Sequence, residues 1–320
     1  MITFQAYLRQ KGIDTGLQTV LTDLAAIFLE ISGALDSRSE GYAGSENIYG
    51  DRQVKMDLIS NDFFVDHLRK NEAVLLMGSE ELKEPIIKNK SRNSAVSRKA
   101  VKKESKTAGF SVVFDPLDGS SIVDTNLAVG TIVGVYRGGE LLGRKGKEQV
   151  AAVVAVYGPK LTFLITTGDG VDEFLYDRSS RTFVLFHEKI RMNVTGKIYA
   201  PGNLKASVSE SWYAELLKDW IKGGYSLRYS GGMVPDVNQI LKKGGGIFVY
   251  PGSKSAPDGK LRLLYECAPV AYIIEQAGGK AHSGEKDILD VTIESYQQQS
   301  PFFCGAVKEV EKALQHLKGR

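Results

Sequence analysis

The chain has 320 residues, 42% hydrophobic and 25% charged, with a net charge of +3 at pH 7. That length allows a large buried core and suggests two domains or one large one, while the slight charge gives no support to nucleic-acid binding. Two cysteines, Cys267 and Cys304, exclude a disulfide framework or a Cys-rich zinc site, and no apolar stretch is read as approaching the ~20 residues of a membrane span.

Leu17, Val20, Leu21, Leu24, Ile27, Phe28 and Ile31 recur at helical spacing and predict a helix stopped by Gly33. A second helix is predicted after Asp51, with Val54, Leu58, Val65 and Leu68 as its buried stripe. Asp51 reads as its N-cap. Asp57 is placed well inside that helix, where aspartate is a mediocre former, and is the better candidate for chemistry. Ala73–Met77 reads as a buried strand ending at Gly78-Ser79-Glu80-Glu81. Adjacent carboxylates repel, so a cation is their natural partner; a solvated loop is the plainer alternative. Lys83 to Thr107 carries nine Lys or Arg and almost no large apolar residues, which predicts a surface loop or, more sharply, a phosphate-holding lid.

Strands are predicted at Val112–Phe114, Gly130–Tyr136, Val150–Tyr157, Thr162–Thr166 and Glu173–Tyr176. After about residue 195, short strands (Ile198–Ala200, Gly246–Tyr250) alternate with helices (Ser211–Lys222, Val237–Lys243, Pro269–Gln276, Val307–Leu317). Mixed sheets layered with helices, an α/β (α+β) fold with a boundary near residue 195, account for this pattern.

The most informative segment is Phe114-Asp115-Pro116-Leu117-Asp118-Gly119-Ser120-Ser121. Asp115 and Asp118 can offer hard oxygen ligands of the kind Mg²⁺ requires. Pro116 stiffens the turn, and the N–H groups of Gly119, Ser120 and Ser121 can form a phosphate-binding nest. Gly259-Lys260-Leu261-Arg262-Leu263-Leu264-Tyr265-Glu266-Cys267, read as a regular strand, puts Lys260, Arg262 and Glu266 on one polar side.

Together these segments resemble the lithium-sensitive, metal-dependent sugar and inositol phosphatase superfamily over about Leu17 to Gly305. The match is closest to its class 1 fructose-bisphosphatase family and the sedoheptulose-1,7-bisphosphatase branch of it. The resemblance implies a layered α-β-α-β-α fold. It also implies an N-terminal metal-binding domain, 1–195, with helices and a large mixed sheet, and a C-terminal sugar-phosphate-binding domain, 196–320. It assigns Glu80, Asp115, Asp118, Glu266 and the Leu117 carbonyl to two or three Mg²⁺ ions, with Mn²⁺ as a possible substitute. By the same resemblance Glu81 would lie in the same shell, and Asp57, with Asp51 behind it and Glu81 nearby, would help to activate the attacking water. Gly119, Ser120, Ser121 and Arg262 would hold the 1-phosphate, with Asp118 also at the substrate, and Lys260 would reach the sugar and its phosphate. Arg228, Tyr229, Met233 and Tyr250 match contacts to the far phosphate and sugar, with Asn203 beside them. The four histidines, His67, His187, His282 and His316, are read as structural or surface residues.

Ala200-Pro201-Gly202-Asn203-Leu204 resembles the sedoheptulose-bisphosphatase pattern and departs from the Asn-Glu-Gly-Tyr of fructose-bisphosphatases. Asp118–Asn126 and Gly231–Gln239 lean the same way. Alanine donates no hydrogen bond, and a smaller Ala200 would make room for a seventh carbon. The expected reaction is therefore hydrolysis of sedoheptulose 1,7-bisphosphate to sedoheptulose 7-phosphate and phosphate. Fructose 1,6-bisphosphatase, or an enzyme taking both sugars, is the alternative. A homodimer or homotetramer in the cytoplasm is expected, with no nucleic-acid or membrane partner. The family's redox cysteine pair is replaced near Glu40 and Ser45, and its AMP-binding Lys-Tyr by Gly109-Phe110, so neither control is expected.

Overall fold

The structure, a computed structural model, describes residues 1–36, 42–46, 52–88 and 109–319. Helix α1 (Phe4–Gln10) precedes α2 (Thr15–Leu35), whose N-terminus is capped by Asp14 accepting from the Leu17 N–H at 3.1 Å. All seven residues of the predicted apolar stripe of α2 are buried. The helix runs through Gly33, because packing of the stripe outweighs the ~1 kcal/mol that a helical glycine costs. By length and composition α2 could cross a membrane, which corrects the reading that no stretch approaches that length, although the same pattern marks the buried helix of a core.

Strands β1 (Tyr42–Glu46) and β2 (Arg52–Val54) pair antiparallel ahead of α3 (Lys55–Lys70), so Val54 belongs to a strand. The buried stripe of α3 is Met56, Ser60, Phe64 and Leu68, with Leu58 and Val65 only half-buried. Asp57 is in the first turn of α3, not deep within it, and there an acidic residue is favoured by the helix dipole. Its burial, not its helix position, is what marks it out. Asp51 and most of the 83–107 loop lie outside the described residues.

The large sheet is built from β3 (Val74–Ser79), β4 (Ile86–Ile87), β5 (Phe110–Asp118), β6 (Val129–Arg137), β7 (Gln149–Tyr157), β8 (Leu161–Thr166), β9 (Val171–Asp177) and β10 (Thr182–Ile190). Its order is β10-β9-β8-β7-β6-β5-β3-β4, antiparallel except for β3 with β5. Strand β10 is not legible in the sequence, because Phe186 to Lys189 on this edge strand are exposed and break the apolar alternation. The second sheet, β12-β11-β13-β17-β15, joins β11 (Ile198–Pro201), β12 (Ser226–Leu227), β13 (Ile247–Tyr250), β15 (Lys280–His282) and β17 (Phe302–Gly305). Strand β14 (Leu261–Arg262) pairs separately with β16 (Gln299–Ser300). The helices of this half are α4 (Ser211–Lys222), α5 (Met233–Lys242), α6 (Ala268–Gln276) and α7 (Val307–Lys318).

The cores show the layering. Helices α1 to α3 bury their apolar faces with Val112, Phe114, Val133 and Val153 on one side of the large sheet. Val113, Ile132, Ala152 and Val154 point to the other side, where α5 and α6 are sandwiched against Ala200, Phe248 and Cys304 of the second sheet. Tyr199, Val249 and Phe303 face outward onto α4 and α7. The period-2 alternation of both sheets thus serves two helix layers each, giving the order α-β-α-β-α.

Candidate metal centre and phosphate site

The acidic residues converge because β3 and β5 run parallel and end together. Ser79 pairs with Phe114, and the Glu80 N–H donates to the Phe114 carbonyl at 3.0 Å, so Glu80 emerges beside Asp115. Asp115 and Asp118 belong to β5 itself and not to a loop after it. Between them the register with β6 slips: Asp115 faces Ile132 and Asp118 faces Gly130. Such a bulge re-aims side chains at a strand end. It is pinned by Thr131, whose hydroxyl donates to the Pro116 carbonyl at 2.7 Å and pairs with the Tyr157 hydroxyl. The Leu117 N–H donates to Asp115 Oδ1 at 3.0 Å. The Leu117 side chain is buried in the core beneath.

Glu266 arrives from the other half. The predicted regular strand through 259–267 is limited to Leu261–Arg262; Leu263–Cys267 is a wide π-helical turn leading into α6. The alternation argument for Lys260, Arg262 and Glu266 therefore fails, since alternation requires extended backbone. The turn buries Glu266 and Tyr265, and the Glu266 carboxylate accepts from the Arg262 N–H. Tyr265 fits beneath because Gly78 has no side chain: a Cβ there would lie 3.2 Å from the ring.

Glu80, Asp115 and Glu266 bring ligand oxygens within 4.8 Å of one another. Burial, then the neighbouring charges of Glu80, Asp118 and Glu266, hold the Asp115 carboxyl well above the usual carboxylate range. Glu266 is raised well above its ordinary value by burial and by Glu80. Glu80 is pushed up to about 7, mainly by burial; Arg262 opposes this, and Glu81, Asp118 and Asp57 add to it. Among the described residues, buried Arg262 is thus a cation beside these acids. Carboxylates outnumber cations here among the described residues, and the donors are hard oxygens, which fits a divalent cation such as Mg²⁺.

Asp118 stands close by, its charge reaching Glu80, Asp115 and Glu266, and its carboxylate also serves a helix. Its two oxygens accept from the Met233 and Val234 N–H groups, at 3.2 and 2.6 Å, at the start of α5. The N-cap residue Gly232 has no side chain, so Asp118 serves as a cap from 115 residues away. Burial raises its carboxyl to about 6 despite these bonds. Gly119 takes the left-handed conformation, with a φ of 81°, and a Cβ on it would lie 3.3 Å from the Gly232 Cα. The two loops meet there. Gly119 and Ser120 are half-buried, Ser121 is exposed, and Ser120–Thr125 forms a 3₁₀ turn whose first N–H groups lack intrahelical partners.

The other predicted residues gather on the second sheet. Arg228 is half-buried and Tyr229 exposed, on the strap between β12 and α5. Tyr229 and Tyr250 lie near Tyr213, whose hydroxyl donates to the Gly202 carbonyl at 2.7 Å. Asn203 donates through Nδ2 to the Pro251 carbonyl at 2.9 Å, tying the loop after β11 to the end of β13. Met233 is buried and meets the acidic segment through its N–H, while Lys260 is exposed. Ala200 is only 1% exposed and packs in the core, so it does not make room beside a substrate. The small residue facing this cluster is Gly202, where a Cβ would lie 2.5 Å from the Tyr250 ring. His67, His187 and His316 each contact a carboxylate, and His282 accepts from the Gly284 N–H. Thr131, Tyr213 and Asp236 were missed by sequence reasoning. Only Asp236 had a signal, lying in the Gly231–Gln239 run.

The domain families described as fructose-1-6-bisphosphatase, N-terminal domain and C-terminal domain match residues 5–188 and 192–318. A class 1 fructose-1,6-bisphosphatase from Syntrophotalea carbinolica is 40% identical over 312 residues, 98% of this chain and 92% of that protein. One from Trichlorobacter lovleyi is 41% identical over 318 residues, 99% and 95% of the two chains. The holo crystal structure of Leishmania major fructose-1,6-bisphosphatase superposes with a TM-score of 0.88 at 33% identity, covering 99% of both chains. A Toxoplasma gondii protein with the provisional name sedoheptulose-1,7-bisphosphatase superposes at 0.87 and 30%, covering 99% of this chain and 98% of that one.

Proposed function

As the chain belongs to the fructose-1,6-bisphosphatase family, and so is a phosphoric monoester hydrolase of sugar bisphosphates, we propose that it removes the 1-phosphate of fructose 1,6-bisphosphate. The observation that carries the reading is the trio of half-buried Glu80 with buried Asp115 and Glu266, set against the half-exposed Gly119-Ser120 turn. These three, with Asp118 and the Leu117 carbonyl, would hold two or three Mg²⁺ ions, or Mn²⁺ in their place. Bound Mg²⁺ would offset phosphate charge and acidify water. Asp57 and Glu81, whose charges reach Glu80, would take the proton of the attacking water, and Asp51 would assist them. The N–H groups of Gly119, Ser120 and Ser121, with Arg262, would grip the 1-phosphate, and Lys260 would reach the sugar. Arg228, Tyr229, Tyr250, Asn203 and Met233 would meet the sugar and its far phosphate.

Residues 1–195 would supply the metal ligands other than Glu266, and residues 196–320 the sugar contacts. A homodimer or homotetramer in the cytoplasm fits this reading. The exposed Leu227 and Tyr229, flanking Arg228, suit a subunit contact.

The second reading is sedoheptulose 1,7-bisphosphate. It is favoured by the Pro201-Gly202-Asn203-Leu204 run and by the likeness to the Toxoplasma gondii protein. The sequence-based preference for it leaned on Ala200, which is buried in the core, and the curated relatives carry the fructose name. The test is phosphate release from both sugars, with and without Mg²⁺. Metal-dependent turnover with the larger kcat/KM on fructose 1,6-bisphosphate is expected. A larger value on the seven-carbon sugar would select the second reading, and no release from either would remove both.

A further inference from the structure

The strap from Arg228 to Met233 is fastened at two points. At its end, Asp118 holds the N–H groups of Met233 and Val234. In its middle, both oxygens of Asp236 accept from the Ser230 N–H, each at 3.1 Å. The Ser230 hydroxyl donates to the Gly232 carbonyl at 3.0 Å and closes the strap on itself. Gly231 has a φ of 105°, and a Cβ there would lie 2.9 Å from Ile122 of the turn after Gly119. The strap is therefore seated on the turn after Gly119 as well as on α5.

Asp236 is buried within the first turn of α5 and reaches back beyond the N-cap to a residue outside the helix. An uncharged side chain could accept from one N–H. A buried carboxylate is costly unless a positive group lies near. Burial raises the Asp236 carboxyl above its ordinary value, and the hydrogen bonds from Ser230 and then the charge of Arg228 oppose that rise. The Arg228 backbone is also fixed, its N–H donating to the Tyr199 carbonyl at 2.8 Å.

We propose that Asp236 is a positioning residue for the sugar's far phosphate, fixing the path of the strap and the place of Arg228 without touching substrate. The inference rests on the reading of Arg228 and Tyr229 as far-phosphate contacts. Asp236 acts first on recognition of the far phosphate, because it holds the strap at Ser230, two residues from Arg228, whereas the carboxylates of the near site come from β3, β5 and the turn before α6.

The experiment compares fructose 1,6-bisphosphate with fructose 1-phosphate, which lacks the far phosphate, for Asp236→Ala, Asp236→Asn, Arg228→Ala and the double alanine variant. Expected for Asp236→Ala is a KM for the bisphosphate raised about tenfold, with kcat within about threefold and a smaller loss of kcat/KM on fructose 1-phosphate. Asp236→Asn keeps one acceptor oxygen and should show a smaller rise; it decides the matter if the alanine variant does not fold. The double variant should be little worse than Arg228→Ala alone, because both changes act on one contact. Equal losses on the two substrates, an unchanged KM in folded variants, or additive losses would each overturn the proposal. Arg228→Ala with an unchanged bisphosphate KM would instead bring down the far-phosphate reading on which it rests.

Discussion

Glu266 feels two opposing effects at the scale of one residue. Its burial beside Glu80 disfavours the charge that a cation would need from it. Glutamine in its place can still accept from the Arg262 N–H but removes the repulsion. Glu266→Gln should therefore leave the metal-free protein at least as stable as the parent, because burial and Glu80 both disfavour the charge that is removed. It should also lose the rise in Tm on adding Mg²⁺ and lower phosphate release at least about a hundredfold, the scale of electrostatic stabilisation. Thermal melts with and without Mg²⁺, beside initial rates, check all three; a destabilised apoprotein that still responds to Mg²⁺ would contradict the assignment. Glu80, Asp115 and Glu266 were legible as carboxylates abutting apolar runs. Asp57 was legible for the wrong reason, as an interior helix residue when it sits in the first turn. The capping of α5 by Asp118 was not legible, because no local pattern links residues 115 apart.

At the scale of elements, the approach of α5 to β6 decides where the acidic segment meets the sugar half. Gly130 makes that approach possible: a Cβ there would lie 2.2 Å from Val234 Cγ1 and 2.6 Å from the Ala155 carbonyl oxygen. Gly130→Ala should cost ~1–3 kcal/mol by overpacking. It should also lower kcat, because Val234 carries an N–H that Asp118 holds. Urea midpoints and steady-state rates test this; a variant with unchanged stability would show that α5 can shift freely. Strong apolar periodicity made α2, α4, α7 and the inner strands readable. The π-helical turn 263–267 was not, because Leu263-Leu264-Tyr265 reads equally well as strand, and the turn that packs Tyr265 against Gly78 leaves no local pattern.

For the whole molecule, the acidic centre couples stability to pH and to metal. The Glu80 carboxyl sits at about 7 against an ordinary 4.5, and Asp118 at about 6 against 3.8. A raised carboxyl favours the folded state while it is protonated. That contribution is complete below pH ~4 and is lost as pH climbs through these folded values. A cation binding the ionised cluster offsets the loss. The rise in Tm on adding Mg²⁺ should thus be larger at pH 7.5 than at pH 5.5. Equal rises at the two pH values would mean that the cluster is already ionised at the lower one.

Local chemistry in the chain determined the helices and strands with clear period, the carboxylates that abut buried strands and the Gly-Ser-Ser turn. Each of these depends on neighbours a few residues apart. Tertiary structure alone decided which strand ends coincide, since the parallel pairing of β3 with β5 brings Glu80 to Asp115. It alone placed Ala200 in the core and Gly202 against Tyr250. It also set Asp118 and Asp236 as the two fastenings of one strap. Those facts depend on contacts between residues far apart in the chain, which hydrophobic pattern constrains only through the packed layers as a whole.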